Sequence, residues 1–150
     1  MVFTRWDVQN HFIDNLNAEG LNVRNVLIWD KLHHGMGDLR RTYGSRYESI
    51  LFSPRKEFRF NGKRPVDIVT VPKVPAAKLI HPNEKPVILL EKLINQCTAP
   101  DGMVLDMFMG SGSVGIACLN TGRNFIGIEL DPGYFKVAKE RIETHETDCL

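Results

Sequence analysis

Apolar residues recur along this chain with two different periods, and the change of period divides it. Val2 to Trp6 is short and β-prone. Val8, Phe12 and Leu16 follow at helical spacing, with Asp7 placed to N-cap them and Gly20 to stop the helix near Glu19. Val23 to Trp29 and Tyr47 to Phe52 read as strands, and the polar, glycine-bearing stretch 30–46 between them makes a long-looped antiparallel hairpin. Residues 53–85 are rich in Pro, Lys and Arg, with one short strand near Asp67 to Val71.

The texture changes after Pro86, which suits the first turn of a helix. Val87, Leu90, Leu93, Ile94 and Cys97 repeat at helical spacing, and Pro100 to Gly102 is a turn. Met103 to Met107 reads as a buried strand. Gly110 to Gly115 is a bend that opens a helix reaching about Thr121, with Gly122 as its stop. Asn124 to Glu129 is a second strand, and Pro132 opens a last helix with Tyr134, Val137, Ala138 and Ile142 on its inner face. This alternation predicts an α/β fold with a parallel sheet.

Composition adds bounds. The 150 residues are 43% hydrophobic and 25% charged, which suits a single globular domain over 1–150 with a basic linker segment at 53–85 inside it. No apolar run nears the ~20 residues that span a bilayer. The first ten residues lack the apolar core of a signal peptide. A cytoplasmic protein without a membrane partner is expected. Three cysteines, Cys97, Cys118 and Cys149, are odd in number and form no CxxC pair, so reduced thiols and no metal site are expected.

The net charge of +1 hides an asymmetry: residues 1–30 carry −2, residues 31–85 carry +7 and residues 86–150 carry −4. The basic middle interleaves with Tyr43, Tyr47, Phe52, Phe58 and Phe60, a composition that suits either a phosphate backbone or a solvated loop region.

The most specific local pattern runs from Asp106 to Gly115. Glycines at 110, 112 and 115 follow a strand and open a helix, and Glu129 ends the next strand, where it can accept ribose hydroxyls. Asp106 at the strand end would repel a pyrophosphate but attract an ammonium. That favours S-adenosylmethionine over NAD, leaving an NAD-dependent oxidoreductase as the weaker reading. Asp131 is placed either for adenine recognition or to N-cap the helix at Pro132.

These residues resemble the DNA amino-methyltransferases, which methylate adenine N6 or cytosine N4. Asp106-x-Phe108-x-Gly110-x-Gly112 looks like their cofactor motif. His81-Pro82-Asn83-Glu84-Lys85-Pro86 resembles their HPxxKP motif, and Glu129-Leu130-Asp131 with Tyr134 is similar to the next motif. Ile28 to Lys31, Gly35-Met36-Gly37, Glu48-x-Ile50-Leu51-Phe52 and Asn61 to Pro65 are similar to the segment between the family's catalytic and cofactor halves.

The resemblance implies a Rossmann-like S-adenosylmethionine-dependent methyltransferase fold, a mixed sheet with an antiparallel hairpin. Its strand order is 3-2-1-4-5-7-6, of which this chain would supply strands 5, 6, 7, 1 and 2 in that sequence and lack strands 3 and 4. It implies a cofactor site of Asp106, Phe108, Gly110, Gly112, Glu129 and Asp131, with His81 and Lys85 supporting the methionine end or simply packing a helix start. DNA is the implied partner, with Lys31, Arg40, Arg41, Arg46, Lys63 and Arg64 as contact candidates and 53–85 as a short target-recognition or linker segment of this partial methyltransferase domain. Trp29 and Tyr43 are further candidates, Trp29 being better suited to a core.

The family's catalytic Asp/Asn/Ser-Pro-Pro-aromatic motif is absent from the 150 residues, so no catalytic residue is assigned. Asp131-Pro132-Gly133-Tyr134 is a near match in the wrong place. The absence is compatible with a part of a longer enzyme, with one subunit of a split enzyme completed by a second chain or a homo-oligomer, or with an inactive remnant that binds cofactor or DNA.

Overall fold

The strand-forming residues of the first half pair as their alternation requires. The computed structural model describes residues 1–35 and 40–148. Strand β1 is Val2–Thr4, helix α1 is Gln9–Ala18, β2 is Asn25–Asp30, β3 is Tyr47–Phe52 and β4 is Ile68–Thr70. They form a sheet of order β1-β3-β2-β4. β3 runs antiparallel to both β1 and β2, while β4 is parallel to β2.

The hairpin pairs Asn25 with Phe52 and Asp30 with Tyr47. Its core is Trp29, Ile50 and Leu51, each at most 2% exposed. Trp29 is thus a core residue: its indole N–H donates to the Val71 carbonyl at 2.8 Å, and its ring meets Phe3 edge-to-face at 6.4 Å.

Helix α2 is Val87–Cys97, β5 is Met103–Asp106, α3 is Ser113–Thr121, β6 is Asn124–Gly127 and α4 is Pro132–Asp148; a short 3-10 turn at Ala76–Lys78 precedes them. β5 and β6 pair in parallel, with Asp106 opposite Gly127. The order β1-β3-β2 is the resembled family's 5-7-6, and β5-β6 is its 1-2. The chain divides into two compact units, Met1–Arg59 with Pro65–Lys73, and Phe60–Arg64 with Val74–Leu150.

In the second unit, α2 buries Leu89, Leu90, Leu93 and Ile94, and α3 buries Ile116, Ala117 and Cys118. Asn61 ties its own short segment to the end of α2, donating its side-chain amide to the carbonyls of Asn95 and Thr98.

Four expectations change. The first strand ends at Thr4 because the Arg5 carbonyl accepts from Val8 and Gln9 and turns the chain. Asp7 does not cap α1; its carboxylate is held by the Arg5 guanidinium at 2.9 Å, and α1 buries no residue. β5 is not fully buried: Met103 and Leu105 are 58% and 56% exposed, and Ile126 and Ile128 show the same alternation. On α4, Ala138 is fully buried but Val137 is exposed, because the inward face carries Ala138 and Ile142 against Gly112 and Gly115. Among the described residues no helix is long and apolar enough to cross a membrane. Met36, Gly37 and Cys149, singled out in the sequence, lie outside the described residues.

Trp29→Phe keeps the ring but removes the donor to a buried carbonyl. It is expected to cost about 1–3 kcal/mol of unfolding free energy, read from urea denaturation.

Candidate cofactor site

The bend after β5 is built on two glycines in the left-handed region, Gly110 at φ 52° and Gly112 at φ 78°. A β-carbon at Gly112 would lie 3.1 Å from Ala138 Cβ and from Ile142 Cδ1, so α4 approaches the bend as closely as glycine allows. Gly112 is also the N-cap of α3. Its N–H donates to the Met109 carbonyl at 2.8 Å, and its own carbonyl accepts from Ile116.

Parallel pairing brings two carboxylates to neighbouring strand ends. Asp106 closes β5, and its Oδ1 accepts from the Phe108 N–H at 3.1 Å. Glu129 follows β6. Its Oε2 accepts from the Gly110 N–H and its Oε1 from the Asp131 N–H, both at 2.9 Å.

The two acids are tuned apart. Burial pushes the Asp106 carboxyl up, against the Phe108 N–H bond, and the Glu129 charge adds to the rise. The Asp131 N–H, with those of Gly110 and Leu130, holds the Glu129 carboxyl below its ordinary value against desolvation. A carboxylate oxygen that accepts one N–H keeps capacity for a second donor, such as a sugar hydroxyl.

His81 joins the same cluster. Its ring lies on the bend, 3.3 Å from where a Gly110 β-carbon would be, and edge-to-face with Tyr134 at 4.4 Å. Its Nδ1 accepts from the Asn83 N–H at 3.1 Å, which leaves the proton of the neutral ring on Nε2. Lys85 is half-buried just before Pro86, the N-cap of α2. Asp131 caps α4, its Oδ1 accepting from the Gly133 and Tyr134 N–H groups at 2.8 and 2.9 Å. Phe108 is 86% exposed beside the bend.

Asp106, Phe108, Gly110, Gly112, Glu129 and His81 thus come together around one turn. The residues fit S-adenosylmethionine by the acceptors they offer: two carboxylates flank a turn whose Gly110 N–H is already engaged by Glu129, an arrangement hostile to a pyrophosphate.

The basic candidates are distributed over both units. Lys31, Arg40, Arg41 and Arg46 belong to the loop between β2 and β3, and Lys63 and Arg64 are exposed in the 60–64 segment of the other unit. Arg46 forms a two-pronged pair with Asp30 at 2.6 and 2.7 Å. Lys31 reaches Glu48 at 3.4 Å and lies 5.9 Å from the Trp29 ring centre. Tyr43 is fully exposed.

The thiols of Cys97 and Cys118 are both pushed up to about 11 by burial. Among the described residues no cluster of His, Cys, Asp and Glu could hold a metal ion.

The sequence reading quoted Glu84 only as part of a motif and did not single out Arg141. The two form an ion pair at 2.9 Å beside Ser111 and Ser113. They lie 57 positions apart, and Arg141 sits in a helix whose charges otherwise read as a solvated face.

A family model described as DNA methylase matches residues 61–140. The type II methyltransferase M2.DpnII of Streptococcus pneumoniae is 30% identical over 144 residues, covering 85% of this chain and 54% of that protein. The DNA adenine methyltransferase YhdJ of Escherichia coli strain K12 is 28% identical over 166 residues, covering 88% of this chain and 56% of that protein. The crystal structure of the M1.HpyAVI-SAM complex superposes with a TM-score of 0.80 at 33% identity, over 93% of this chain and 72% of that one. The chain spans about half the length of the curated relatives it matches.

Gly112→Ala is expected to cost about 1–2 kcal/mol through the left-handed backbone alone, measured by denaturant unfolding. Asp106→Asn carries the opposite sign. The raised pKa makes the ionised form the costly one in the folded protein, a cost present above the folded pKa and gone below the unfolded value of 3.8. The Asn variant should therefore be more stable than wild type without ligand at neutral pH. The gain should vanish on acidification, as read from melting temperatures across pH.

Proposed function

This chain belongs to the DNA methylase family, and we propose that it forms the cofactor-binding part of a DNA amino-methyltransferase. The reaction is transfer of a methyl group from S-adenosylmethionine to the exocyclic amine of adenine or cytosine in DNA. The observation that carries this reading is the pair of carboxylates, Asp106 and Glu129, flanking the glycine bend.

In this reading Glu129, held by two N–H groups, accepts the ribose hydroxyls. Asp106 meets the ammonium of the amino-acid end, directly or through water. Gly110 and Gly112 let the ligand approach the backbone, and Phe108 offers a ring face beside it. His81 and Lys85 border the site, and Asp131 acts through its cap on α4. The cofactor supplies an activated methyl on a sulfonium, so the protein's task is chiefly to position donor and amine.

The 150 residues contain no Pro-Pro aromatic motif to hold a flipped base. Catalysis therefore draws on further polypeptide that carries it. Lys31, Arg40, Arg41, Arg46, Lys63 and Arg64 are the proposed phosphate contacts. Arg46 and Lys31 also brace the base of the β2–β3 loop through Asp30 and Glu48.

Calorimetry is the test. S-adenosylmethionine should bind and NAD should not. Asp106→Asn and Glu129→Gln should each weaken binding by roughly tenfold or more, the scale of one hydrogen bond to a charged group. Binding of NAD alone would overturn the reading. A radiolabelled methyl assay on DNA should be negative for the 150-residue chain alone and positive once a chain bearing the base-holding motif is added. Transfer by the chain alone would refute the division of labour.

A further inference from the structure

Glu84 is an acidic side chain only 4% exposed, in a loop that could have left it in water. It is fully partnered. Its Oε2 accepts from the Ile80 N–H at 2.9 Å. Its Oε1 accepts from Arg141 Nη1 at 2.9 Å and from Ser113 Oγ at 3.3 Å.

Arg141 in turn reaches the Ser111 carbonyl at 3.1 Å and the hydroxyls of Ser111 and Ser113, both at 3.3 Å. Both serines are nearly buried. One cluster therefore joins three segments distant in sequence: the loop before α2, the glycine bend with the start of α3, and the middle of α4.

The placement of His81 follows from it. The Glu84 N–H donates to the His81 carbonyl at 3.0 Å, closing a tight turn. Anchoring Glu84 inward at one end of that turn lays the His81 ring on Gly110 at the other. A buried ion pair adds little net stability compared with an apolar pair of the same volume, but removing one partner strands a charge. Such a pair is better suited to specifying an arrangement than to strengthening a fold.

We propose that the Glu84–Arg141 pair is a positioning device for the cofactor site, holding the 81–85 loop against the glycine bend. Neither residue touches the ligand in this assignment; both act through His81 and the bend. The proposal rests on the S-adenosylmethionine reading above.

The test uses the whole 150-residue chain with Arg141→Met, Arg141→Lys and Glu84→Gln. S-adenosylmethionine affinity is measured by calorimetry well below the unfolding temperature. Trp29→Phe serves as a control destabilised in the other unit. Arg141→Met and Glu84→Gln should each weaken binding roughly tenfold, the scale seen when a group that orients a ligand-bearing residue is lost. Arg141→Lys should recover much of the loss, and Trp29→Phe should bind like wild type.

Unchanged affinity in folded Arg141→Met would overturn the proposal, as would an equal loss in the Trp29→Phe control. If wild type itself binds no S-adenosylmethionine, the cofactor reading fails. The positioning claim is then judged by amide hydrogen exchange, where Arg141→Met should accelerate exchange at Ile80 and Asn83. Wild-type rates there would overturn it. If Arg141→Met does not fold, Glu84→Gln carries both readouts.

Discussion

A carboxylate that accepts two backbone N–H groups from different segments fixes the shape of everything around it. Glu129 holds Gly110 with one oxygen and Asp131 with the other, so the turn after β5 and the turn after β6 cannot move independently. The parallel register of β5 and β6 makes this possible by bringing the two strand ends side by side. The same bonds keep Glu129 ionised. Asp106, with a single N–H bond and more buried, is the more easily protonated neighbour. Two acids of like chemistry thus hold different protonation preferences within one turn.

The basic middle of the chain also contributes to its own structure. Arg46 is engaged by Asp30, and Lys31 is partly covered between Glu48 and the Trp29 ring. These two pairs lie at the base of the loop that carries Arg40, Arg41 and Tyr43.

Much of this was legible in the sequence, for identifiable reasons. The hairpin, α2 and the β5-bend-α3-β6 unit declare themselves through periodicity and through glycines at positions where side chains do not fit, Gly112 above all. The pattern Asp106 to Gly115 with Glu129 points to the turn where the two carboxylates meet, because strand ends and acids fall at fixed intervals there. Local competition was invisible: Asp7 is taken by Arg5 rather than capping α1. Burial was also misjudged, since an apolar strand reads the same whether one face or two are covered, and β5 has one exposed. The Glu84–Arg141 pair was beyond reach, because nothing local distinguishes a half-buried arginine from a solvated one on the same helix.

That exposed strand face has a practical side. Met103 and Leu105 on β5, Ile126 on β6 and Ile128 just beyond it each stand about half in water, a set of apolar side chains on one two-stranded sheet. Exposed apolar patches of this kind favour association. Association through these side chains is therefore the physical consequence of leaving them uncovered.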